Sequence, residues 1–192
     1  MPFLELTLNG SALVCAGSEK ITVLTAGIIV TAAGGHAQIN VSGLRQSGSD
    51  EEFLFWTSSD FVRGGSIQIA LLQRATSVSG LKVLEPSELI RDTEEDLAEM
   101  KRRIMPSRSQ VCVSPPRASW PIVFLIRVDQ GDPIEAAIGE EENLQAEVTF
   151  TQNGWAFRAD ALTVLDDGST KGRCWTKQDL AFGQVVELVY KT

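Results

Sequence analysis

Histidine is nearly missing from this chain. The single copy among 192 residues is His36, set in Gly34-Gly35-His36-Ala37. One histidine excludes a zinc site built from several of them. Any Ser-His-Asp or Cys-His arrangement would have to recruit it, yet no Gly-x-Ser-x-Gly elbow is present. Cysteine is sparse too: Cys15, Cys112 and Cys174 are an odd number and form no C-x-x-C pair. Free, buried thiols in a reducing compartment are therefore expected rather than a disulfide framework. Gly34-Gly35 and Gly64-Gly65 lack the Lys-Ser/Thr that would complete a phosphate-cradling loop. These absences predict an exposed turn histidine, with no catalytic residues, no metal and no cofactor.

Long apolar runs are missing as well. The most apolar segment, 21–34, is too short to span a bilayer, and its threonines and glycines suit strands. Met1-Pro-Phe-Leu-Glu has neither the basic flank nor the apolar stretch of a signal peptide. The expected location is the cytoplasm, away from membranes. Hydrophobic residues at 43% and charged residues at 22% are enough for a packed core.

The net charge of −8 is unevenly spread. Residues 121–192 hold 12 acidic against 6 basic side chains, while 1–80 hold 6 against 4. Such a surface repels nucleic acid and attracts basic partners.

An internal repeat organises the chain. Trp56-Thr-Ser-Ser-Asp60-Phe-Val-Arg-Gly64-Gly-Ser-Ile67-Gln-Ile69 aligns without a gap with Trp175-Thr-Lys-Gln-Asp179-Leu-Ala-Phe-Gly183-Gln-Val-Val186-Glu-Leu188. Trp, Thr, Asp and Gly are identical, and the apolar positions keep their character. Tryptophan is rare, so chance explains this poorly. Upstream, Phe3 to Gly10 sits against Phe124 to Gly131, and Val41-Ser-Gly-Leu44 against Ala159-Asp-Ala-Leu162. Each half offers short alternating segments: 3–8, 21–23, 28–31, 37–41, 53–57 and 66–72, then 122–128, 145–151, 156–160, 162–165, 173–176 and 185–190. Asn9-Gly10 punctuates the first half, and Asn153-Gly154 and Asp167-Gly168 are the sharpest hairpin signals of the second, since both dipeptides accept positive φ.

One helix is expected between the halves. Leu89, Leu97, Met100 and Ile104 make a narrow apolar face, acids precede Lys101-Arg-Arg103, and Pro106 ends it. The fold class is mainly β (α+β): two tandem copies of a small β-sandwich or barrel-like domain. The first covers 1–80 and the second 121–192. The linker 81–120 between them carries the helix 86–104.

The carboxylate runs Asp50-Glu-Glu52, Glu94-Glu-Asp96, Glu140-Glu-Glu142 and Asp166-Asp167 fall in turns or on the helix. There they are solvated rather than converging across a cleft. The repeated Trp–Asp–Gly element reads as a turn feeding a final strand, with Trp56 and Trp175 anchoring the cores.

What remains is binding. In outline the chain resembles small acidic bacterial immunity (antitoxin-like) proteins. That resemblance implies a cytosolic inhibitor whose acidic face covers a basic toxin surface. On this reading Glu140, Glu141, Glu142, Asp166 and Asp167 form the docking rim, and Trp155 is its anchor beside the Asn-Gly turn. The partner is a basic protein, and a homodimer is compatible. The alternative is a structural or assembly module of a phage- or secretion-related system. The third is a small enzyme using His36 or a carboxylate pair.

Overall fold

The computed structural model describes residues 1–31, 36–75, 78–84, 121–139, 141–164 and 170–191. The expected helix 86–104 lies outside them, as do Cys112, Glu140, Asp166 and Asp167. Thirteen strands form two antiparallel sheets, with no helix among the described residues. The mainly-β expectation holds.

The strands of the first half are β1 (Phe3–Leu8), β2 (Ser11–Gly17), β3 (Ile21–Thr31), β4 (His36–Ser47), β5 (Asp50–Phe61) and β6 (Ser66–Leu72). A short β7 (Lys82–Leu84) follows. The second half supplies β8 (Ile122–Val128), β9 (Ile134–Ile138), β10 (Asn143–Thr151), β11 (Gly154–Val164), β12 (Thr170–Leu180) and β13 (Val185–Tyr190). One sheet runs β2-β1-β6-β13-β8-β9, and the other β12-β11-β10-β3-β4-β5-β7. The halves are thus not side-by-side domains: they share both sheets, through β6–β13 in one and β3–β10 in the other.

Alternation explains the layering. Leu4, Leu6, Ile67, Ile69, Phe124, Ile126, Val186 and Leu188 face inward from the first sheet, each at most 1% exposed. Leu24, Ile28, Ile39, Val41, Leu54, Val148 and Phe157 do so from the second, and all belong to one continuous core. Phe61, Phe124 and Tyr190 cluster within it, the last two stacked with centroids 4.5 Å apart and Phe61 tilted against both. A one-residue slip in any strand would turn these apolar sets to water, so the pattern fixes register.

The seam between the halves is symmetric in register. In the β6–β13 seam, Gln68 faces Glu187, with Ile67 opposite Leu188 and Ile69 opposite Val186. Gly64 N–H donates to the Tyr190 carbonyl (2.9 Å) and Gly183 N–H to that of Leu71 (2.8 Å). Tyr190 N–H then donates to Gly65 O, and Leu71 N–H to Gln184 O, both at 3.0 Å. These are reciprocal pairs of the kind a two-fold axis produces. Gly64 and Gly183 both have positive φ, 82° and 89°.

The β-bulges match too. The β4–β5 register slips after Val41/Thr57, and β11–β12 after Ala159/Thr176. The extra residue is Trp56 in one case and Trp175 in the other. Asn9 and Asp129 take the same positive φ, 52° and 51°. Asn9 Oδ1 accepts from Ser66 N–H (2.9 Å), and Asp129 Oδ1 from Val185 N–H (2.7 Å).

Candidate functional site

Of the expected docking rim, Glu140, Asp166 and Asp167 lie outside the described residues, and Glu141, Glu142 and Trp155 lie within them. Glu141 is exposed in the β9–β10 turn. Glu142 is turned inward: its Oε2 accepts from Gly139 N–H (3.0 Å) and from Arg173 Nη2 (3.1 Å). Trp155 corrects the expectation outright. It is 3% exposed, against Phe150 (centroids 5.2 Å) and edge-on to Phe182 (6.4 Å). A ring that fills this protein's own core cannot insert into a partner. The signal was in the sequence, for Trp155, Phe157, Ala159 and Ala161 alternate along β11 and all are buried.

A second acidic tip appears in the first half. The Gln46 N–H donates to Lys20 O (3.1 Å), and Arg45 Nη1 reaches Ser18 Oγ (3.3 Å). These bonds bring the β2–β3 and β4–β5 turns side by side, with Glu19, Asp50 and Glu51 exposed on them. Arg45 also pairs with Glu52. The hydrogen bond from Arg45, aided by one from Ser47, holds the Glu52 carboxyl below its usual range.

The outer face of the second sheet carries a charged group that sequence reading missed. Gln145, Glu147, Arg158, Asp160 and Leu162 line a surface hollow of about 330 Å³. Asp160, 7% exposed, is the one buried charged side chain among the described residues, and it pairs with Arg158. Glu147 accepts a hydrogen bond from Thr149. Cys174 lies opposite Asp160 across the β11–β12 pair. Desolvation, then the hydrogen bond with Asp160 and that carboxylate's charge, push the Cys174 thiol up. Losing its proton would place two negative charges together. A thiol so held is a poor nucleophile at neutral pH. Burial, with Glu5 nearby, raises the Cys15 thiol as well. No group of three or more metal-ligating side chains occurs among the described residues.

The two flanks of the sandwich are closed differently. On the first, residues 78–84 cross from one sheet edge to the other. Ser79 N–H donates to Cys15 O (2.8 Å), Cys15 N–H donates to Ser79 Oγ (2.9 Å), and β7 pairs with Phe53–Phe55 of β5. On the second, between β9 and β12, a side chain does the bridging. Arg173 Nη2 donates to Ala137 O (2.8 Å) and to Glu142, and its guanidinium lies 5.0 Å from the Trp175 ring centre. β12 pairs only with β11 among the described residues. Its edge exposes Lys171, Arg173 and Lys177 against one acid, Asp179.

No family model matches the chain, and neither a curated protein nor a solved structure matches it. No helix among the described residues is long and apolar enough to cross a membrane.

Proposed function

We propose that this protein is a non-catalytic binding protein, made by duplication of a six-strand module, that docks a basic protein partner through acidic hairpin tips. Duplication is supported by the matching strand order, the matching bulges at Trp56 and Trp175, and the reciprocal bonds across the β6–β13 seam. The observation that carries the binding reading is the placement of acid. Glu19, Asp50 and Glu51 are exposed on adjoining turns that also carry Lys20, and Glu141 stands on the turn of the other half. Acidic side chains held on short turns of a rigid sandwich keep their field without losing order on contact. Such a field speeds encounter with a cationic surface.

The resemblance to acidic immunity proteins points the same way, to an inhibitor that covers a basic surface. A cytoplasmic setting belongs to this reading, supported by the free thiols of Cys15 and Cys174.

The test is affinity capture from the native cell, followed by stopped-flow association with the captured protein. Charge reversal at Glu19, Asp50 and Glu51, or at Glu140, Glu141, Asp166 and Asp167, should slow association about tenfold or more at low salt. The melting temperature should stay unchanged. Association equally fast in both variants would reject the acidic-tip reading.

A further inference from the structure

The unequal flanks lead to a second binding site. Register equates Phe53, Leu54 and Phe55 of β5 with Gly172, Arg173 and Cys174 of β12. The β4 partners of the first three are Leu44, Gly43 and Ser42, and the β11 partners of the second three are Leu162, Ala161 and Asp160. In β5 this stretch receives β7 as an added antiparallel strand. At the matching place on β12, no strand lies alongside among the described residues.

Long open edges invite pairing, and proteins usually cover or charge them. Here the edge is charged with the sign opposite to the protein as a whole. Lys171 and Lys177 are exposed on β12, beside Arg173 with its Glu142 partner, in a chain of net charge −8.

From the flank geometry and this charge, we infer that the β12 edge receives an extended, acidic segment of a partner polypeptide as an added strand. The segment lies antiparallel beside Gly172–Cys174, as β7 lies beside β5. A second copy of this chain is a poorer occupant, because antiparallel β12–β12 pairing would set the Lys171 and Lys177 cations of one copy against those of the other. Main-chain hydrogen bonds supply affinity in such strand addition, and side chains supply selection. The surface is separate from the acidic tips, and the inference does not depend on them.

The probe is a peptide patterned on Ser79–Leu84 with acid added: acetyl-Glu-Ser-Gly-Leu-Glu-Val-Leu-Glu-amide. Its binding to the full chain is followed by titration calorimetry, and by hydrogen exchange of the β12 amides. The expected result is saturable binding with about tenfold slowing of exchange confined to residues 171–177. Methylating alternate peptide nitrogens should abolish it. The exposed double variant Lys171→Glu/Lys177→Glu should weaken it about tenfold while keeping the wild-type melting temperature.

Four outcomes would overturn the inference. One is no binding at millimolar peptide. Another is binding insensitive to methylation. The third is β12 amides already slow in the free chain, which means that its own segment covers the edge. Peptide-independent dimerisation that protects β12 would assign the edge to a second copy instead.

Discussion

Asp129 offers a sharp test of how the turn after β8 is held. Its backbone has positive φ, 51°, and its carboxylate accepts from Val185 N–H and Gln184 Nε2, each at 2.7 Å. Hydrogen bonds to a charged group contribute about 1.5–3 kcal/mol each when fully buried. Asp129 is half-buried, so roughly 2 kcal/mol for the pair is reasonable. A left-handed conformation costs a residue with Cβ about 1 kcal/mol more than glycine, and asparagine little.

The series therefore orders itself. Asp129→Asn should cost under about 1 kcal/mol, Asp129→Gly about 2, and Asp129→Ala about 3. For a chain of this size the last corresponds to a melting-point drop of roughly 6–12 °C. Urea unfolding followed by tryptophan fluorescence reads all three. Asn9, with the same φ and the equivalent bond to Ser66, should show the same order with smaller values. If Asp129→Ala proved as stable as the wild type, or if glycine and alanine cost the same, the turn would not be held as described.

Three further outcomes follow from the same geometry. Gly43→Ala should lose about 2–3 kcal/mol, read as a lower urea midpoint, because its Cβ would lie 2.5 Å from the Val23 carbonyl oxygen. Glu52 has its carboxyl pKa lowered in the fold, so its stabilisation is present above the unfolded carboxylate range, near pH 4.3, and vanishes as pH falls through the folded value. Glu52→Gln should accordingly flatten the loss of melting temperature on acidification below about pH 4.3, with no change in slope at pH 6–8. Asp160→Asn removes the charge that opposes Cys174 ionisation, so alkylation of Cys174 at pH 8 should speed up several-fold; an unchanged rate would detach the thiol from Asp160.

Much of the fold was legible because alternation and turn chemistry are local. The segments 3–8, 66–72, 122–128 and 185–190 coincide with β1, β6, β8 and β13. On the duplication proposed above, the Trp56–Ile69 and Trp175–Leu188 alignment agrees with the β6–β13 register and with the two bulges. The upstream alignment was out by one residue. On the same proposal Leu4, not Phe3, is set against Phe124, for Leu4 pairs with Leu71 and Phe124 with Tyr190. The terminal glycines misled, since the turn after β1 is tighter than the connection after β8. Strands β3 and β11 were each read as two segments, 21–23 with 28–31 and 156–160 with 162–165, whereas each is continuous.

The short β2, β7 and β9 were missed, as were the flank closures, which depend on strand order that no local pattern encodes. The candidate site was the least legible part. Charge counts located acid by segment, but only the pairing of turns shows that Glu19 and Asp50 share a tip, or that Glu142 is committed to Arg173.

That the two halves share continuous sheets is tested most directly by a cross-link at the centre of the seam. Gln68 Nε2 donates to Glu187 Oε1 at 3.2 Å, and the two residues are direct cross-strand partners, within reach of a disulfide. In a background with Cys15, Cys112 and Cys174 replaced by serine, Gln68→Cys/Glu187→Cys should close an intramolecular disulfide on mild oxidation. Mass spectrometry should find the linked peptide in monomeric protein. Free thiols after oxidation, or links found only between molecules, would contradict the shared-sheet architecture.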